Sequence, residues 1–365
     1  MKCELAGRCS GCAWIARDYR AQVESKIESL RQVLGSAGVT IPEGPVECLG
    51  AGEWRLRDRA DLTLEGGRLG LYGIEEAGII DMAACPMMSP RLESWMGEFR
   101  RNLPNEIKKG SVRLRIGPSG ERGVWLDLAN ADVKTLLDDG RWLGRLLESG
   151  AFVEIGQRRK RLVRGEGRLK LSDPEPRIWF ETYDPAPVPL RCFVGSFTQA
   201  GFAANQVLVT AVMNIAGAIG ANSWLELGSG IGNFTLPLAR IVTSLKAVEL
   251  DELSVQALTL NSAGRANIEI IRGDYRAPKV AEKIRGIEAV LCDPPRSGLG
   301  SFVDSLDSIG WPREMIYVSC FAESFAVDVA RLTKCGYLLR SFALVDQFPQ
   351  TPHVEIVARL SRVIS

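Results

Sequence analysis

The sequence predicts an α/β protein whose C-terminal part is a doubly wound parallel sheet. From about residue 196 onward, short apolar runs alternate with helical stretches, and a glycine-rich turn follows the first run. Between about residues 42 and 190 the pattern changes to short β-rich segments separated by glycine and proline. We therefore predict an N-terminal segment over residues 1–41, a smaller β-rich central domain over 42–190 and the doubly wound domain over 191–365.

An amphipathic helix is predicted within the N-terminal segment, at residues 19–34. Its apolar residues Val23, Ile27, Leu30 and Leu34 are spaced three and four apart, so they would form one buried face. The central domain should contain strands at residues 60–64 and 152–155 and a helix at 89–103. The strands predicted for the doubly wound domain are residues 224–227, 245–250, 268–271, 289–292 and 315–319.

Composition limits the class of protein but does not identify a partner. With 365 residues and 46% hydrophobic content, the chain can bury a large core. Lys and Arg number 45 against 44 Asp and Glu, so net charge does not indicate nucleic-acid binding. Residues 158–170 carry seven basic residues and one acidic one, which fits either a solvated charged hairpin or a contact with RNA phosphate.

The cysteines and the N-terminus point to a reducing compartment. The sequence has no run of 18 apolar residues, and its first residues lack the apolar stretch of a signal peptide, so we expect a cytoplasmic protein. Nine cysteines in such a chain are better explained as free thiols, a nucleophile or metal ligands than as disulfides.

A ligand site is predicted at the carboxyl ends of the parallel strands. Residues 224–234, WLELGSGIGNF, place glycines at 228, 230 and 232 directly after a strand, where the backbone can approach a ligand. Glu249, at the end of the next strand, suits a ribose in a nicotinamide dinucleotide as well as in S-adenosylmethionine. Asp274 after the third strand and Asp293 in a DPPR turn after the fourth resemble the pattern of S-adenosylmethionine-dependent methyltransferases.

A cysteine follows the last of these strands at the same edge of the sheet. Cys320 ends the segment MIYVSCF, and it is either a buried structural cysteine or a nucleophile. One methyl transfer that needs such a cysteine is the methylation of uracil at C5. A thiolate that adds to C6 of uracil makes C5 nucleophilic enough to accept a methyl group. A base must then remove the C5 proton, and Glu355 at the start of the last strand can do so. His353 would lie on the same face of an extended strand, as a supporting or a structural residue.

Six stretches in this order resemble the RNA (uracil-5-)-methyltransferases that modify 23S ribosomal RNA and the T-loop of tRNA. They are SFTQAGFAANQ (196–206), LELGSGIGNFTLPLA (225–239), VEL (248–250), DPPRSGL (293–299), YVSC (317–320) and DQFPQTPHVE (346–355). The resemblance implies a Rossmann-like methyltransferase domain, with Cys320 as nucleophile, Glu355 as base and Asp293 at the junction of cofactor and uracil. The residues implied to contact the cofactor are Gln199, Gly228, Asn233, Glu249 and Asp274.

A second cysteine pattern lies outside this domain. Cys3, Cys9 and Cys12 have C-x5-C-x2-C spacing and Cys85 lies in an ACP context, which fits an iron-sulfur cluster or a structural zinc. The family's ribosomal RNA members carry a [4Fe-4S] cluster on this spacing, so the resemblance implies the cluster, with a structural role, and zinc is the alternative. The central domain would then contribute Cys85 and bind RNA.

The resemblance also bears on the target. Many members begin with a small β-barrel RNA-binding domain before the first cluster cysteine, and Cys3 here is almost the first residue, so we expect that barrel to be absent. The chain is similar to the short bacterial enzymes that act on 23S rRNA. The alternatives are a tRNA uridine, a non-catalytic RNA-binding scaffold and, from the glycine turn alone, a nicotinamide oxidoreductase. One departure is Phe321, where the family usually has Asn after its nucleophile.

Overall fold

The chain forms two compact units, each made of separated segments. The computed structural model describes residues 2–75, 78–101, 103–104, 107–128, 131–281 and 285–363. The β-rich unit comprises Met1–Ala16, Gly52–Glu181 and Arg191–Phe202. The α/β unit comprises Arg17–Ala51, Thr182–Leu190 and Ala203–Ser365.

The helices and strands alternate irregularly in the first half of the chain and regularly in the second. The helices are α1 (Tyr19–Ser36), α2 (Pro90–Arg101), α3 (Val133–Asp139), α4 (Arg141–Glu148), α5 (Phe202–Ile219), α6 (Thr235–Leu238), α7 (Glu252–Asn261), α8 (Pro278–Ala281), α9 (Phe302–Ile309) and α10 (Ala322–Lys334). The strands are β1 (Cys48–Gly50), β2 (Arg59–Glu65), β3 (Arg68–Tyr72), β4 (Ile79–Asp81), β5 (Gly110–Ile116), β6 (Arg122–Asp127), β7 (Phe152–Ile155), β8 (Lys160–Gly165), β9 (Arg168–Ser172), β10 (Arg177–Tyr183), β11 (Pro187–Cys192), β12 (Ser223–Leu227), β13 (Ser244–Glu249), β14 (Ile268–Arg272), β15 (Ala289–Cys292), β16 (Glu314–Ser319), β17 (Tyr337–Asp346) and β18 (Glu355–Arg362).

The β-rich unit is built on an eight-stranded sheet in the order β4-β3-β2-β5-β6-β7-β8-β9. Its pairs are antiparallel except for β6 and β7. Successive strand side chains point to opposite faces, so Ala60, Leu62 and Leu64 of β2 are buried on one face. They share a core with Trp95 and Phe99 of α2. Apolar side chains of α2, together with those of α3 and α4, therefore cover this face of the sheet.

The α/β unit has an eight-stranded sheet in the order β1-β17-β18-β16-β15-β12-β13-β14. The five strands from β16 to β14 run parallel, as the alternating pattern predicts. Strand β18 is antiparallel to both of its neighbours, β16 and β17. Side chains on the two faces enter separate cores: Leu225 and Leu227 pack with α9 and α10, and Trp224 packs with α5. The fold is thus a doubly wound sheet extended by an antiparallel hairpin.

All seven predicted strands and both predicted helices are confirmed within a few residues at their ends. The ranges predicted for the domains differ from the two compact units, because α1 and β1 belong to the α/β unit. Strand β1 pairs in parallel with β17, which places Cys48 opposite Leu344. Helix α5 is long and apolar enough to span a membrane by length and composition, with a mean hydropathy of 1.5. In this chain, Leu208, Val209 and Val212 of that helix are buried in the core of the α/β unit.

The buried face of α1 differs from the prediction. Leu30 and Leu34 are buried as expected, but Val23 and Ile27 are only half-buried. Gln22 and Lys26 occupy the fully buried positions instead. The spacing of apolar residues predicts the helix correctly but predicts the wrong buried face, because Gln22 and Lys26 are buried against Gln350 and Asp346.

Candidate active site

Strand register brings Cys320 and Glu355 to the same edge of the sheet. Strands β16 and β18 are antiparallel, and Ser319 lies opposite Ile356. The residue after Ser319 is Cys320 and the residue before Ile356 is Glu355, so one further step along both strands makes them neighbours. The carboxyl ends of β12, β13, β14 and β15 lie at this edge too, since these strands run parallel to β16.

The glycine turn after β12 is built for close backbone approach. Gly228 has a φ of 76°, and a Cβ atom there would lie 2.6 Å from the carbonyl oxygen of Asp293. Only glycine satisfies both conditions. Around Gly230, with a φ of 55°, a Cβ atom would meet nothing within 4 Å. The turn is therefore packed on its inner side and open at Gly230, as a ligand cradle requires.

The predicted cofactor residues of the α/β unit lie around this turn. The carboxylate of Glu249 accepts hydrogen bonds from the backbone N–H groups of Gly230 at 2.7 Å, Leu250 at 2.8 Å and Asp251 at 2.7 Å. Asp274 follows β14 and accepts from the backbone N–H of Arg276 at 2.9 Å. Glu249 thus contacts the glycine turn, Asp274 follows a strand that ends at the same edge of the sheet, and the cofactor contacts of both stay a prediction.

Asn233 makes a reciprocal amide pair with Asn205 of α5. Asn205 Nδ2 donates to Asn233 Oδ1 at 2.9 Å, and Asn233 Nδ2 donates to Asn205 Oδ1 at 2.8 Å. Asn205 is buried, so the pair fixes Asn233 where the glycine turn leads into α6. Sequence analysis did not predict Asn205, although it lies within the stretch SFTQAGFAANQ.

Asp293 is a carboxyl group with a raised pKa. It is half-buried and begins the turn after β15. Burial, followed by the nearby Glu249 carboxylate, raises the pKa of Asp293 to about 7. A carboxyl group that titrates near 7 can donate or accept a hydrogen bond at the predicted junction of cofactor and uracil.

Cys320 lies between two carboxyl groups and one guanidinium group. Burial raises the pKa of the Cys320 thiol, and the Glu355 and Asp293 carboxylates raise it further. Arg296 lowers that pKa through its charge and a side-chain hydrogen bond to Cys320. Arg296 belongs to the DPPR turn, and this motif was the one sequence signal that could have identified it. Its guanidinium is the group that favours the thiolate.

Glu355 is the most enclosed of these groups. Its side chain is buried, and burial together with the Asp293 charge raises its pKa well above the ordinary range. Gln347 Nε2 donates to Glu355 Oε2 at 3.2 Å and lowers that pKa. A carboxylate with a raised pKa is a stronger base once it has lost its proton. Glu355 therefore has the environment of a general base, and its role stays a prediction.

His353 and Phe321 lie beside this pair and are both exposed. Strand β18 begins at Glu355, so the expectation that His353 shares a strand face with Glu355 is wrong. The His353 ring packs edge-on against Phe348, with centroids 6.4 Å apart. Phe321 is the N-cap residue of α10 and makes no side-chain capping hydrogen bond. An Asn there would suit that cap position, so Phe321 is not explained by helix stability.

Glu226 is a buried carboxyl group that sequence analysis did not predict. It lies in β12, two residues before Gly228, and is 1% exposed. Its carboxyl oxygens have no hydrogen-bond partner among the residues that the structure describes. Burial raises the pKa of Glu226 to about 8; the nearby Thr235 hydroxyl lowers it, and Asp293 and Glu249 raise it. At neutral pH Glu226 is therefore mainly a neutral acid behind the glycine turn.

Other predicted residues lie in the β-rich unit. Gln199 belongs to that unit and is half-buried, and its cofactor contact stays a prediction. The basic run forms the hairpin of β8 and β9. Lys160, Arg161, Arg164 and Lys170 are paired there with acidic side chains. These ion pairs favour the solvated-hairpin interpretation for much of the run.

The four predicted cluster cysteines line one cavity of about 60 Å³ in the β-rich unit. Burial raises the pKa of Cys12 to about 11, against the charge of Arg57, and the other three cysteines raise it further. In the part of the chain that the structure describes, no group of three or more His, Cys, Asp or Glu side chains has the spacing for one metal ion.

The sequence and the fold are similar to those of known proteins. The pattern of the tRNA (uracil-5-)-methyltransferase family matches residues 188–363. An uncharacterized RNA methyltransferase of Bdellovibrio bacteriovorus is 42% identical over 99% of this chain and 95% of its own length. The 23S rRNA (uracil(1939)-C(5))-methyltransferase of Pseudomonas fluorescens is 30% identical over 98% of this chain and 79% of its own length.

Among solved structures, the Pyrococcus abyssi tRNA (uracil-54, C5)-methyltransferase in complex with S-adenosyl-L-homocysteine has a TM-score of 0.68. It is 22% identical and covers 96% of this chain and 86% of its own, so it supports the fold. The sheet and its glycine turn define a Rossmann-like, S-adenosylmethionine-dependent methyltransferase. Its substrate is RNA.

The chain belongs to the RNA (uracil-5-)-methyltransferase family. It methylates C5 of uracil in RNA with S-adenosylmethionine as the methyl donor. The predicted family, fold class and enzyme class are confirmed.

Replacing Glu226 by Gln should remove a pH dependence of stability. The folded chain keeps a proton on Glu226 up to about pH 8, whereas the unfolded chain loses it near 4.5. Stability should therefore fall as pH rises through that window, and the variant should be more stable at pH 8 by on the order of a few kcal/mol. Urea unfolding from pH 5 to 9 measures this, with the exposed Glu269→Gln as control. Parallel profiles for wild type and Glu226→Gln would contradict the assignment.

Replacing Arg296 by Met should raise the pH at which Cys320 reacts. Without the guanidinium, the thiolate loses the charge that favours it, so alkylation by iodoacetamide at pH 7 should slow severalfold. Peptide mass spectrometry distinguishes alkylation of Cys320 from alkylation of the buried Cys292. The control variant is Arg240→Met, which removes an exposed Arg of the same unit and should leave the rate unchanged. An unchanged pH profile would exclude Arg296 as the activating group.

Proposed function

We propose that this enzyme methylates C5 of a specific uridine in 23S rRNA through a covalent bond between Cys320 Sγ and C6 of that uridine. The observation that carries the proposal is the register of β16 and β18, which makes Cys320 and Glu355 neighbours at the edge that holds the glycine turn. A nucleophile and a buried base at one point are what C5 methylation requires.

The first step forms a carbon–sulfur bond. The Cys320 thiolate, favoured by Arg296, adds to C6, and the electron pair of the C5=C6 bond moves toward C5 and O4. S-adenosylmethionine would supply the methyl group: its sulfonium–methyl bond breaks as the methyl–C5 bond forms, and S-adenosylhomocysteine leaves with the electron pair of the broken bond. The adduct then carries both a methyl group and a proton on C5.

The second step reverses the addition. Glu355 removes the C5 proton, the released electron pair restores the C5=C6 bond, and the C6–S bond breaks to regenerate the Cys320 thiolate. Atoms and charge balance, since Glu355 has gained the proton and passes it to water. The raised pKa of Glu355 assists this step, and Gln347 orients the carboxylate through its 3.2 Å hydrogen bond. Asp293, with a pKa of about 7, can hydrogen bond the uracil edge. His353, exposed outside the strand, can at most support the proton's exit.

The uridine must leave its stack to reach a half-buried thiol, so the substrate is a flipped nucleotide. The choice of 23S rRNA rests on the Pseudomonas fluorescens relative. A tRNA uridine is the second candidate, because the Pyrococcus abyssi enzyme with this fold acts on tRNA. With either target, a cytoplasmic location stays part of the proposal.

We also propose that Cys3, Cys9, Cys12 and Cys85 bind a [4Fe-4S] cluster. Four thiols lining one cavity fit a thiolate-ligated group. Zinc, which would need the four sulfurs about 2.3 Å from one point, is the alternative occupant of the same cysteines. A four-iron cluster bound by these thiolates would join residues 1–16 to Cys85 within the β-rich unit, as a structural group.

RNA that contains 5-fluorouridine should trap the covalent adduct that forms after methyl transfer. Fluorine cannot leave C5 as a proton does, so incubation with S-adenosylmethionine and a 23S rRNA fragment should give a Cys320-linked adduct in intact-mass analysis. Cys320→Ala should give none. With ordinary uridine, Glu355→Gln should lower turnover by about 10²- to 10⁴-fold and accumulate the methylated adduct.

The same experiment separates the targets. An adduct with tRNA and none with the rRNA fragment would move the substrate to tRNA. Full methylation of uridine by Cys320→Ala would overturn the covalent mechanism, and no adduct with either RNA would count against both proposed targets.

The cluster predicts a metal content and a matched pair of variants. Protein purified without oxygen should contain iron and acid-labile sulfide and absorb broadly in visible light. Cys85→Ser should lose most of the iron, and Cys335→Ser, in the α/β unit, should keep it. Zinc without iron in the wild type would replace the cluster assignment.

A further inference from the structure

The buried polar face of α1 points to a second layer of the active site. Lys26 and Asp346 form an ion pair, Nζ to Oδ1, at 2.8 Å, and both side chains are fully buried. Gln22, one turn earlier on the same helix, is fully buried as well. All these residues belong to the α/β unit, as do Cys320 and Glu355.

Each polar group on this face binds the segment that joins β17 to β18. Lys26 Nζ also donates to the backbone oxygen of Phe348 at 3.1 Å, and Tyr19 Oη donates to Asp346 Oδ2 at 3.1 Å. Gln22 Nε2 donates to Gln350 Oε1 at 2.9 Å, and the Gln350 backbone N–H donates to Gln22 Oε1 at 2.8 Å. Five contacts from one helix thus hold residues 346–350, and we name this network the α1 anchor.

The anchored segment contains the partner of the base. Gln347 follows Asp346 directly, is buried, and donates to Glu355 Oε2 at 3.2 Å. Gln350 has a φ of 68°, a left-handed conformation that is unfavourable for a residue with a side chain. Its two hydrogen bonds to Gln22 hold that conformation. The segment therefore has a shape that it would not adopt unaided.

The ion pair is better explained by geometry than by stability. Two charges lose their hydration on burial, and apolar side chains of similar size often stabilise a core equally well. Leu30 and Leu34 already attach α1 to the core. What apolar side chains cannot supply is a directional contact that fixes the Asp346 carboxylate and the backbone beside it.

We propose that the α1 anchor positions the general base: Lys26 and Gln22 fix residues 346–350 so that the Gln347 amide holds the Glu355 carboxylate against the C5 proton. They are positioning residues that act through Gln347. This inference rests on the proposed roles of Cys320 and Glu355.

The test measures which step slows. A misplaced base leaves thiolate addition and methyl transfer intact and delays proton removal, so the methylated protein–RNA adduct should accumulate with ordinary uridine. The variants are Lys26→Met/Asp346→Leu, which leaves neither charge unpaired, and the milder Gln22→Met. Arg20→Met removes an exposed ion pair of the same helix and is the control. Glu355→Gln marks complete loss of the base.

In single-turnover assays with methyl-labelled S-adenosylmethionine, we expect decay of the adduct in the anchor variants to slow by tenfold or more. In steady-state assays, we expect KM for both substrates to be nearly unchanged. Thermal melting identifies variants that have lost their fold. If the double variant is unfolded, Gln22→Met carries the test. Suppose that Glu355→Gln accumulates the adduct, while a folded anchor variant turns over like the wild type and accumulates none. This result overturns the inference about the α1 anchor and leaves the proposed base in place. Absence of adduct in Glu355→Gln itself counts against the proposed base.

Discussion

The pairing of one antiparallel strand, β18, with β16 is the constraint on which the active site depends. A purely parallel sheet presents only the carboxyl ends of its strands at the ligand edge. Because β18 runs the opposite way, its first residue lies at that edge, and Glu355 becomes the neighbour of Cys320. The proposed nucleophile and the proposed base therefore come from segments 35 residues apart in sequence (320 and 355), which the hydrogen bonds of the sheet join.

Electrostatics at this edge are set by carboxyl groups that share a small volume. Asp293 raises the pKa of Glu355, Glu249 raises that of Asp293, and both Glu355 and Asp293 raise that of Cys320. Acidic groups this close cannot all be ionised together. Two groups act in the opposite direction: Arg296 lowers the pKa of Cys320, and the Gln347 amide lowers the pKa of Glu355. The arrangement raises the pKa of both the Cys320 thiol and the Glu355 carboxyl group above their ordinary values.

Sequence patterns predicted most of the fold and singled out Cys320 and Glu355, for physical reasons. Burial on both sides makes the parallel strands continuous apolar runs, and the turn after β12 needs glycine at Gly228, so both features are visible in the residues themselves. The supporting groups were not visible. Lys26 and Gln22 resemble surface residues of an amphipathic helix until Asp346 and Gln350 are placed beside them. Glu226 looks like a strand residue, and only its burial shows that it is a neutral acid.

The separated segments of the α/β unit have a consequence for synthesis on the ribosome. Helix α1 emerges early, yet the partner of Lys26 lies 320 residues later. At roughly 5–20 residues per second, Lys26 and Gln22 wait on the order of 15–60 s before Asp346 and Gln350 exist. During that interval the nascent helix carries unpaired polar groups on its inner face. Helix α1 must therefore stay accessible until the end of β17 has been synthesised, so the α/β unit closes late in synthesis.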